Sequence, residues 1–321
     1  GIEFIEQRTG VPVLGVLPFM QDLRLEEEDR LAIKLSGQAA FQATQVNVGI
    51  ILLPHMSNFT DFDLLRQEHD VVLKYMTSPD ALVGVDVVIL PGSKSTQTDL
   101  KYLRGQNFQT MLEEHVRQGR ELIGICGGYQ MLGLDIHDPH GVEGGGSSAG
   151  LGFLEIDTIL AREKMTTQVE AAALHFIGCS DIRVRGYHIH MGVTRRRTER
   201  PCFRITRRGQ KREDVTLASA DEDDRLDGAI RDGELVWGTY IHGVFDEPDF
   251  RRTWLNRVRR RKGLAPLAID QSQALNARRS HELDRWADHL QQHIRLRPIW
   301  DGLTRRGRPH ADFQSLYEDW R

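Results

Sequence analysis

Cys126 stands between glycines at the point where an apolar run ends, in the stretch ELIGICGGYQMLG of residues 121–133. The segment Gly124–Gly128 follows the glycine–any–nucleophile–any–glycine pattern of a nucleophile elbow, with cysteine in place of serine. Glycines on both sides let a strand pack closely against the next segment and let the nucleophile adopt a strained turn. A buried thiol that acts as a small hydrophobe at a strand end is the alternative. A partner base elsewhere in the chain would favour the nucleophile.

Two backbone N–H groups are predicted to stabilise an oxyanion beside Cys126. A helix that begins directly after the cysteine points its N-terminal N–H groups at the thiol and favours the thiolate. The N–H of Gly127 is the first predicted donor. The turn at Gly92 and Ser93, in ILPGSKST (89–96), supplies the second.

The partner base is predicted to be His242, one of 13 histidines. It closes an apolar strand in GTYIHGVFD (238–246) and is followed directly by a glycine. His188 and His190, in GYHIHMG, share one strand face. Two ligands without a third do not make a metal site, so no metal is predicted, and His190 is expected to form structural hydrogen bonds beside the active site.

The elements that must position these groups alternate between strand and helix. Near-continuous apolar strands interleaved with helices indicate an α/β fold, a doubly wound, mostly parallel sheet with flanking helices, followed by C-terminal helices. Cys126 then lies at the carboxyl end of a strand, where open α/β sheets place their active sites. Strands are predicted at 46–54, 70–77, 85–92, 121–125, 152–160, 182–192 and 233–245, and helices at 61–69, 98–119, 128–135, 247–263 and 280–294.

The remaining segments carry weaker signals. Residues 9–18, TGVPVLGVLP, are predicted to form a buried strand, and the glycine-rich residues 141–152 a flexible loop. The arginine run within 247–263 is predicted to form a solvated helix face. No structure is predicted from about residue 297 onward.

Composition narrows the class of protein. The 321 residues carry a formal net charge of −4 and 40% hydrophobic residues, which gives no reason to expect nucleic acid or a membrane as partner. The three cysteines form no CxxC pair, so a disulfide framework or a structural zinc site is not expected. A reducing cytoplasm is the simplest compartment.

GICGGYQMLG and YIHGVFD together resemble the class I glutamine amidotransferase domain, in the branch that amidates corrinoid rings. LPHMSNFTDFDLL (53–65), LPGSKST, GLGFLEIDT and GYHIHMG narrow the resemblance to the cobyric acid synthase family of the cobalamin pathway. The resemblance covers about residues 9–295. It implies three parts: the end of an ATP-dependent synthetase domain and its linker (1–37), the amidotransferase domain (38–263) and a C-terminal helical extension (264–321). The nucleotide-binding part of the synthetase is expected to be absent, and no GxxxxGK[ST] pattern occurs.

The resemblance also implies a mechanism. Cys126 attacks the side-chain amide of L-glutamine, His242 transfers the proton, and N–H groups near Gly92 and Gly127 hold the oxyanion. Ammonia would pass to the synthetase domain, where ATP and Mg²⁺ activate carboxylates of the corrinoid substrate adenosylcobyrinic acid a,c-diamide. This chain by itself is expected to bind no cofactor.

Two residues depart from the family pattern. The glutamate of the common H-x-E motif is replaced by Val244, with Asp246 the nearest acid, so no third catalytic residue is predicted. The family usually has glutamate where this chain has His188, and the substitution is expected to lower activity if that acid contacts the substrate or orients the site. The alternatives are a related amidotransferase such as a,c-diamide synthase, a non-catalytic interaction module, and a cysteine hydrolase of peptides or esters.

Overall fold

The computed structural model describes residues 1–20, 40–174, 181–209, 211–212, 225–269 and 275–297. The chain divides into two compact units, one of Gly1–Leu25 with Asn276–Arg321 and one of Glu26–Leu275. The predicted linker and the segment beyond 297 lie mostly outside the described residues. The three-part division at residues 37 and 263 stays a prediction.

Thirteen strands and seven α-helices are described. The strands are β1 (Val46–Ile51), β2 (Val71–Met76), β3 (Val87–Leu90), β4 (Glu121–Ile125), β5 (Asp135–Asp138), β6 (Gly146–Ala149), β7 (Ile156–Ala173), β8 (Arg183–Arg196), β9 (Phe203–Arg208), β10 (Lys211–Arg212), β11 (Leu226–Asp227), β12 (Ala229–Ile230) and β13 (Val236–Thr239). The helices are α1 (Ile2–Thr9), α2 (Asp63–Arg66), α3 (Thr96–Gly105), α4 (Phe108–Arg117), α5 (Gly127–Met131), α6 (Pro248–Arg261) and α7 (Leu275–His293), with 3-10 turns at Phe59–Phe62 and Pro79–Leu82.

The first sheet confirms the predicted α/β fold. Its six strands run in the order β12-β13-β4-β3-β1-β2, and every pair is parallel except β12 with β13. Every residue of β1, β3, β4 and β13 is buried, as expected for parallel strands covered on both faces. The crossover order brings the carboxyl ends of β1, β3, β4 and β13 to one edge.

A second sheet, which the sequence pattern did not reveal, follows in the same unit. It contains seven strands, with the path β10-β9-β7-β5-β6 and β8 and β11 paired to β7 and β9. Its pairs are antiparallel except β5 with β7. The strands predicted at 152–160 and 182–192 belong to this sheet, and β8 carries the GYHIHMG motif to the edge where the first sheet ends.

Three local predictions were wrong. The helix expected over 98–119 is two helices, because the chain turns at Asn107, whose φ is 61°. The loop expected over 141–152 contains β6, which pairs with β5. Residues 9–18 form no buried strand: α1 ends at Thr9, the following residues are exposed or half-buried, and only Gly15 makes a single bridge, to Ile294.

The predicted solvation of the arginine run of α6 is correct only in part, because Arg260 and Arg261 are exposed but four other arginines of the helix are not. Arg251, Arg252, Arg257 and Arg259 are each less than 10% exposed. Arg252 and Arg259 pair with the carboxylate of Asp70, and Arg251 and Arg252 pair with Glu68. Burial alone raises the pKa of Asp70, but its hydrogen bonds and charge attraction to the arginines outweigh burial and lower that pKa. The arginines therefore anchor α6 to the segment between α2 and β2.

The described helices include none that is both long and apolar enough to cross a bilayer.

Candidate active site

Cys126 lies at the turn between β4 and α5 in a strained conformation, with φ 52° and ψ −109°. A Cβ on Gly128 would lie 2.0 Å from the Leu90 carbonyl oxygen, and one on Gly124 would lie 2.7 Å from the Gly128 backbone. Only glycine fits this close approach of strand and helix. The thiol is 7% exposed and donates to the Ile189 carbonyl of β8 at 3.4 Å. The residue therefore has the geometry of a nucleophile elbow.

His242 follows β13, which is the parallel neighbour of β4 with Thr239 opposite Ile125. Both strands deliver their next residues to the same edge, and this brings the imidazole beside the thiol. His242 is completely buried, and its Nε2 has no hydrogen-bond partner among the residues that the structure describes. The interaction with the Cys126 side chain helps to raise the pKa of His242. The structure thus brings the predicted nucleophile and base together.

The second nitrogen of the imidazole faces an acid that sequence reasoning missed. His242 Nδ1 lies 2.7 Å from Asp61 Oδ2, and the Gly243 N–H donates to Asp61 Oδ1 at 2.9 Å. Burial alone lowers the pKa of His242, but the Asp61 carboxylate and the thiol outweigh burial and raise it to about 10. Asp61 therefore favours an imidazolium facing the sulfur. Val244, at the position of the family's glutamate, is buried in the core.

A tyrosine holds the face of the imidazole. The Tyr187 ring, on β8, stacks on His242 with a centroid distance of 5.1 Å and an interplanar angle of 19°. The Asn58 side-chain amide donates to the Tyr187 hydroxyl at 2.7 Å, from a backbone with φ 55°. Backbone hydrogen bonds between Tyr187 and His242 close the contact. The segment 57–62 thus fixes the ring from two directions.

The two glycines predicted to form the oxyanion hole lie next to Cys126 and His242. A Cβ on Gly92 would lie 3.2 Å from His242 Cε1 and 3.0 Å from Ser57 Oγ. A Cβ on Gly127 would lie 2.9 Å from the Ser93 backbone nitrogen. The Gly92–Ser93 turn therefore packs against both the imidazole and the residue after the nucleophile.

The two histidines of β8 lie beside the Tyr240 ring, with centroid distances of 6.4 Å for His188 and 3.8 Å for His190. His188 is 3% exposed, and its Nε2 is 3.5 Å from Asp227 Oδ1. Burial lowers its pKa to about 3. The His190 ring stacks on Tyr240 at 3.8 Å, and its Nδ1 donates to the Gly192 carbonyl. The described contact of this strand with Cys126 is made by its backbone, through the Ile189 carbonyl.

One group of described residues has metal-ligand spacing: Glu68, His69 and Asp70. Their carboxylates already form ion pairs with the arginines of α6, so the cluster serves the fold.

Residues 47–250 match the family of CobB/CobQ-like glutamine amidotransferase domains. The chain belongs to the CobB/CobQ-like glutamine amidotransferases. It is 41% identical to a cobyric acid synthase of Klebsiella pneumoniae strain 342, over 94% of this chain and 57% of the relative. It is 37% identical to that of Syntrophobacter fumaroxidans, over 93% of this chain and 58% of the relative. The chain thus spans less than two thirds of these relatives.

A solved structure of PurLQS from Thermotoga maritima is also similar to this CobB/CobQ-like chain. The TM-score is 0.46 at 15% identity, covering 67% of this chain and 96% of that chain.

Asp61 is the main residue that the sequence reading of this CobB/CobQ-like chain missed. It lies 181 positions before His242, so no local spacing connects them. The stretch SNFTDF could have indicated Asp61, because this aspartate lies in the loop after β1, and β1 ends at the same sheet edge. That stretch was read only as a mark of the family.

Proposed function

We propose that this chain is the glutamine-hydrolysing part of a cobyric acid synthase, with Cys126 as nucleophile and His242 as acid and base. The observation that carries the proposal is the completely buried His242, whose Nδ1 lies 2.7 Å from Asp61 Oδ2 and whose strand β13 ends beside the strand β4 that leads to Cys126. Family membership and the similarity to two cobyric acid synthases support the choice of substrate.

The proposed reaction begins with the thiolate of Cys126 attacking the side-chain amide carbon of L-glutamine. The carbonyl π electrons move onto oxygen, and the N–H groups of Gly92 and Gly127 stabilise that oxyanion. The His242 imidazolium gives its proton to the amide nitrogen as the C–N bond breaks and ammonia leaves. Water, deprotonated by the neutral imidazole, then attacks the thioester. Glutamate leaves and the thiolate is restored.

Ammonia is the product that a partner would consume. We propose that it passes to a synthetase part with which ATP and Mg²⁺ activate carboxylates of adenosylcobyrinic acid a,c-diamide, giving adenosylcobyric acid. The relatives extend well beyond the length matched here, which supports a further part of this kind. We expect no ATP binding to this chain alone, and calorimetry with clear micromolar binding would contradict that expectation. We also propose a reducing cytoplasm, because the buried cysteines Cys126 and Cys202 are free thiols.

Glutamate release from glutamine tests the proposed function. Cys126→Ala should abolish turnover, because nucleophile and base act as a unit. Cys202→Ala is the matched control, since that thiol is completely buried and its sulfur lies against the Gly238 carbonyl. Substantial turnover in Cys126→Ala, or equal loss in both variants at equal folded fraction, would contradict the proposal.

A further inference from the structure

A second buried carboxylate, Asp99, lies behind the oxyanion turn and has no part in the chemistry described above. It is the fourth residue of α3 and is completely buried. The Ser93 hydroxyl donates to Oδ2 at 2.6 Å, and His55 donates to Oδ1 from Nδ1 at 2.9 Å and from its backbone N–H at 3.2 Å. One carboxylate therefore receives three hydrogen bonds from two different loops.

These two loops carry groups of the active site whose positions relative to each other must be maintained. The loop after β1 leads to Asp61, which holds His242, and the loop after β3 carries Gly92. They are joined by hydrogen bonds from the Ser57 N–H to the Gly92 carbonyl and from the Lys94 N–H to the His55 carbonyl, both 2.9 Å. Asp99 ties the same two loops from the core side.

The hydroxyl of Ser93 transmits the position of Asp99 to the turn. It donates its single proton to the carboxylate and accepts the Ser95 N–H at 2.9 Å, so both of its roles are used. Ser93 in turn packs against Gly127, and Gly92 packs against the His242 ring. Movement of Ser93 therefore displaces the N–H groups that face the reacting carbon.

We propose that Asp99 is a positioning residue that sets the oxyanion turn relative to Cys126 and His242. The inference rests on the proposed function, because it assumes that an oxyanion forms at this turn. Oxyanion donors act only when charge develops, so a displaced donor weakens the transition state more than bound glutamine. A single donor contributes about 10²–10³ in kcat, and partial displacement should remove at least about tenfold.

Asp99→Asn is the informative variant because it preserves shape. The amide offers only one acceptor oxygen, so it cannot accept from both Ser93 and His55. We expect glutamine turnover with kcat lowered about tenfold or more and KM changed less than about threefold. The exposed acid Asp80, in the 3-10 turn Pro79–Leu82, provides the control variant Asp80→Asn, which should retain wild-type values.

Two reagents that modify Cys126 separate positioning from stability. Iodoacetamide alkylates the thiolate by displacement and develops no oxyanion, whereas 6-diazo-5-oxo-L-norleucine presents a ketone oxygen where the amide oxygen of glutamine would lie. In Asp99→Asn, we expect the rate with the ketone to fall about tenfold or more and the rate with iodoacetamide to stay within about twofold. The inference would be overturned if the variant reacted with both reagents at the wild-type rates. It would also be overturned if the rates with both reagents fell by the same factor.

Two further measurements distinguish a folding defect, or a wrong functional assignment, from a failure of the inference. If Asp99→Asn does not fold, as judged by thermal melting, Ser93→Ala replaces it, since it retains the backbone N–H and loses only the two hydroxyl hydrogen bonds, to Asp99 and from the Ser95 N–H. It should show the same selective loss, and wild-type reactivity would overturn the inference. A wild-type chain that iodoacetamide labels at Cys126 and the glutamine analogue does not would instead contradict the proposed function.

Discussion

Asp61→Asn should inactivate glutamine hydrolysis while leaving the nucleophile in place. Each oxygen of Asp61 accepts one hydrogen bond, from His242 Nδ1 and from the Gly243 N–H. An asparagine offers one acceptor oxygen and two N–H donors. Its NH₂ group therefore faces either the Gly243 N–H or His242 Nδ1. In the second case the imidazole holds the wrong tautomer, and in both cases the imidazolium loses its counter-charge.

The size of the effect follows from the burial of the pair. The side chains of Asp61 and His242 are 1% and 0% exposed, so solvent does not screen the interaction. Removing one member of a buried, hydrogen-bonded charge pair costs about 3–5 kcal/mol. Since about 1.4 kcal/mol corresponds to a tenfold change in rate, a loss of this size in the transition state should lower kcat/KM about 10²- to 4 × 10³-fold.

The assay measures glutamate release and the pH dependence of Cys126 alkylation by iodoacetamide. The Asp61 carboxylate raises the pKa of His242, so its removal lowers that pKa and leaves less positive charge beside the sulfur. The alkylation profile of Asp61→Asn should therefore move to higher pH.

Asp63→Asn is the matched control for Asp61→Asn, because Asp63 begins α2 two residues later and is only half-buried. A variant Asp61→Asn with kcat/KM within threefold of wild type, or with an unmoved alkylation profile, would refute the role of Asp61.

Three further predictions concern stability. Arg252→Met leaves two buried carboxylates with fewer partners and should lower the free energy of unfolding by about 3–5 kcal/mol in urea, whereas Arg260→Met on the exposed face should change it by less than about 0.5 kcal/mol. Gly128→Ala places a Cβ 2.0 Å from a backbone oxygen and should abolish Cys126 labelling, whereas Gly105→Ala has open space and should not. Burial lowers the pKa of His115 to about 4, so the neutral imidazole contributes to the free energy of unfolding above pH 6.5, and this contribution is lost as the pH falls toward 4. In His115→Gln, the free energy of unfolding in urea should therefore vary less between pH 6.5 and 4 than in wild type. An unchanged pH dependence would contradict this.

The placement of Cys126 and His242 could be anticipated because both follow apolar strands. Parallel strands send their carboxyl ends to one edge, so two residues that each close a strand can meet without any sequence proximity. The glycines around Cys126 added a second constraint, since a φ of 52° and the close strand–helix approach both demand small neighbours. The strand ends and the glycines around Cys126 were sufficient for this prediction, because each of these patterns depends on a single element.

Asp61 and Asp99 could not be assigned in this way. Asp61 and Asp99 each lie on a different element from the groups they hold, and nothing in their spacing specifies the partner. The H-x-E pattern concerns only positions next to His242. The partner instead comes from the loop after a different strand.

The arginines of α6 illustrate the same difficulty for stability. A run of arginines on a helix is normally solvated, and this sequence offers no local sign of burial. The carboxylates of Glu68 and Asp70, far earlier in the chain, compensate the buried charge. The strands of the second sheet are individually visible in the sequence, but which strands pair depends on the crossover order. The sheet itself therefore could not be predicted.

Acid-quenched turnover with isotopically labelled glutamine tests the central claim most directly. After rapid quenching and peptide mapping, we expect a γ-glutamyl thioester on Cys126 that accumulates in wild type and is absent from Cys126→Ala. Label on another residue, or glutamine hydrolysis by wild type with no adduct on any peptide under conditions that trap thioesters, would contradict it.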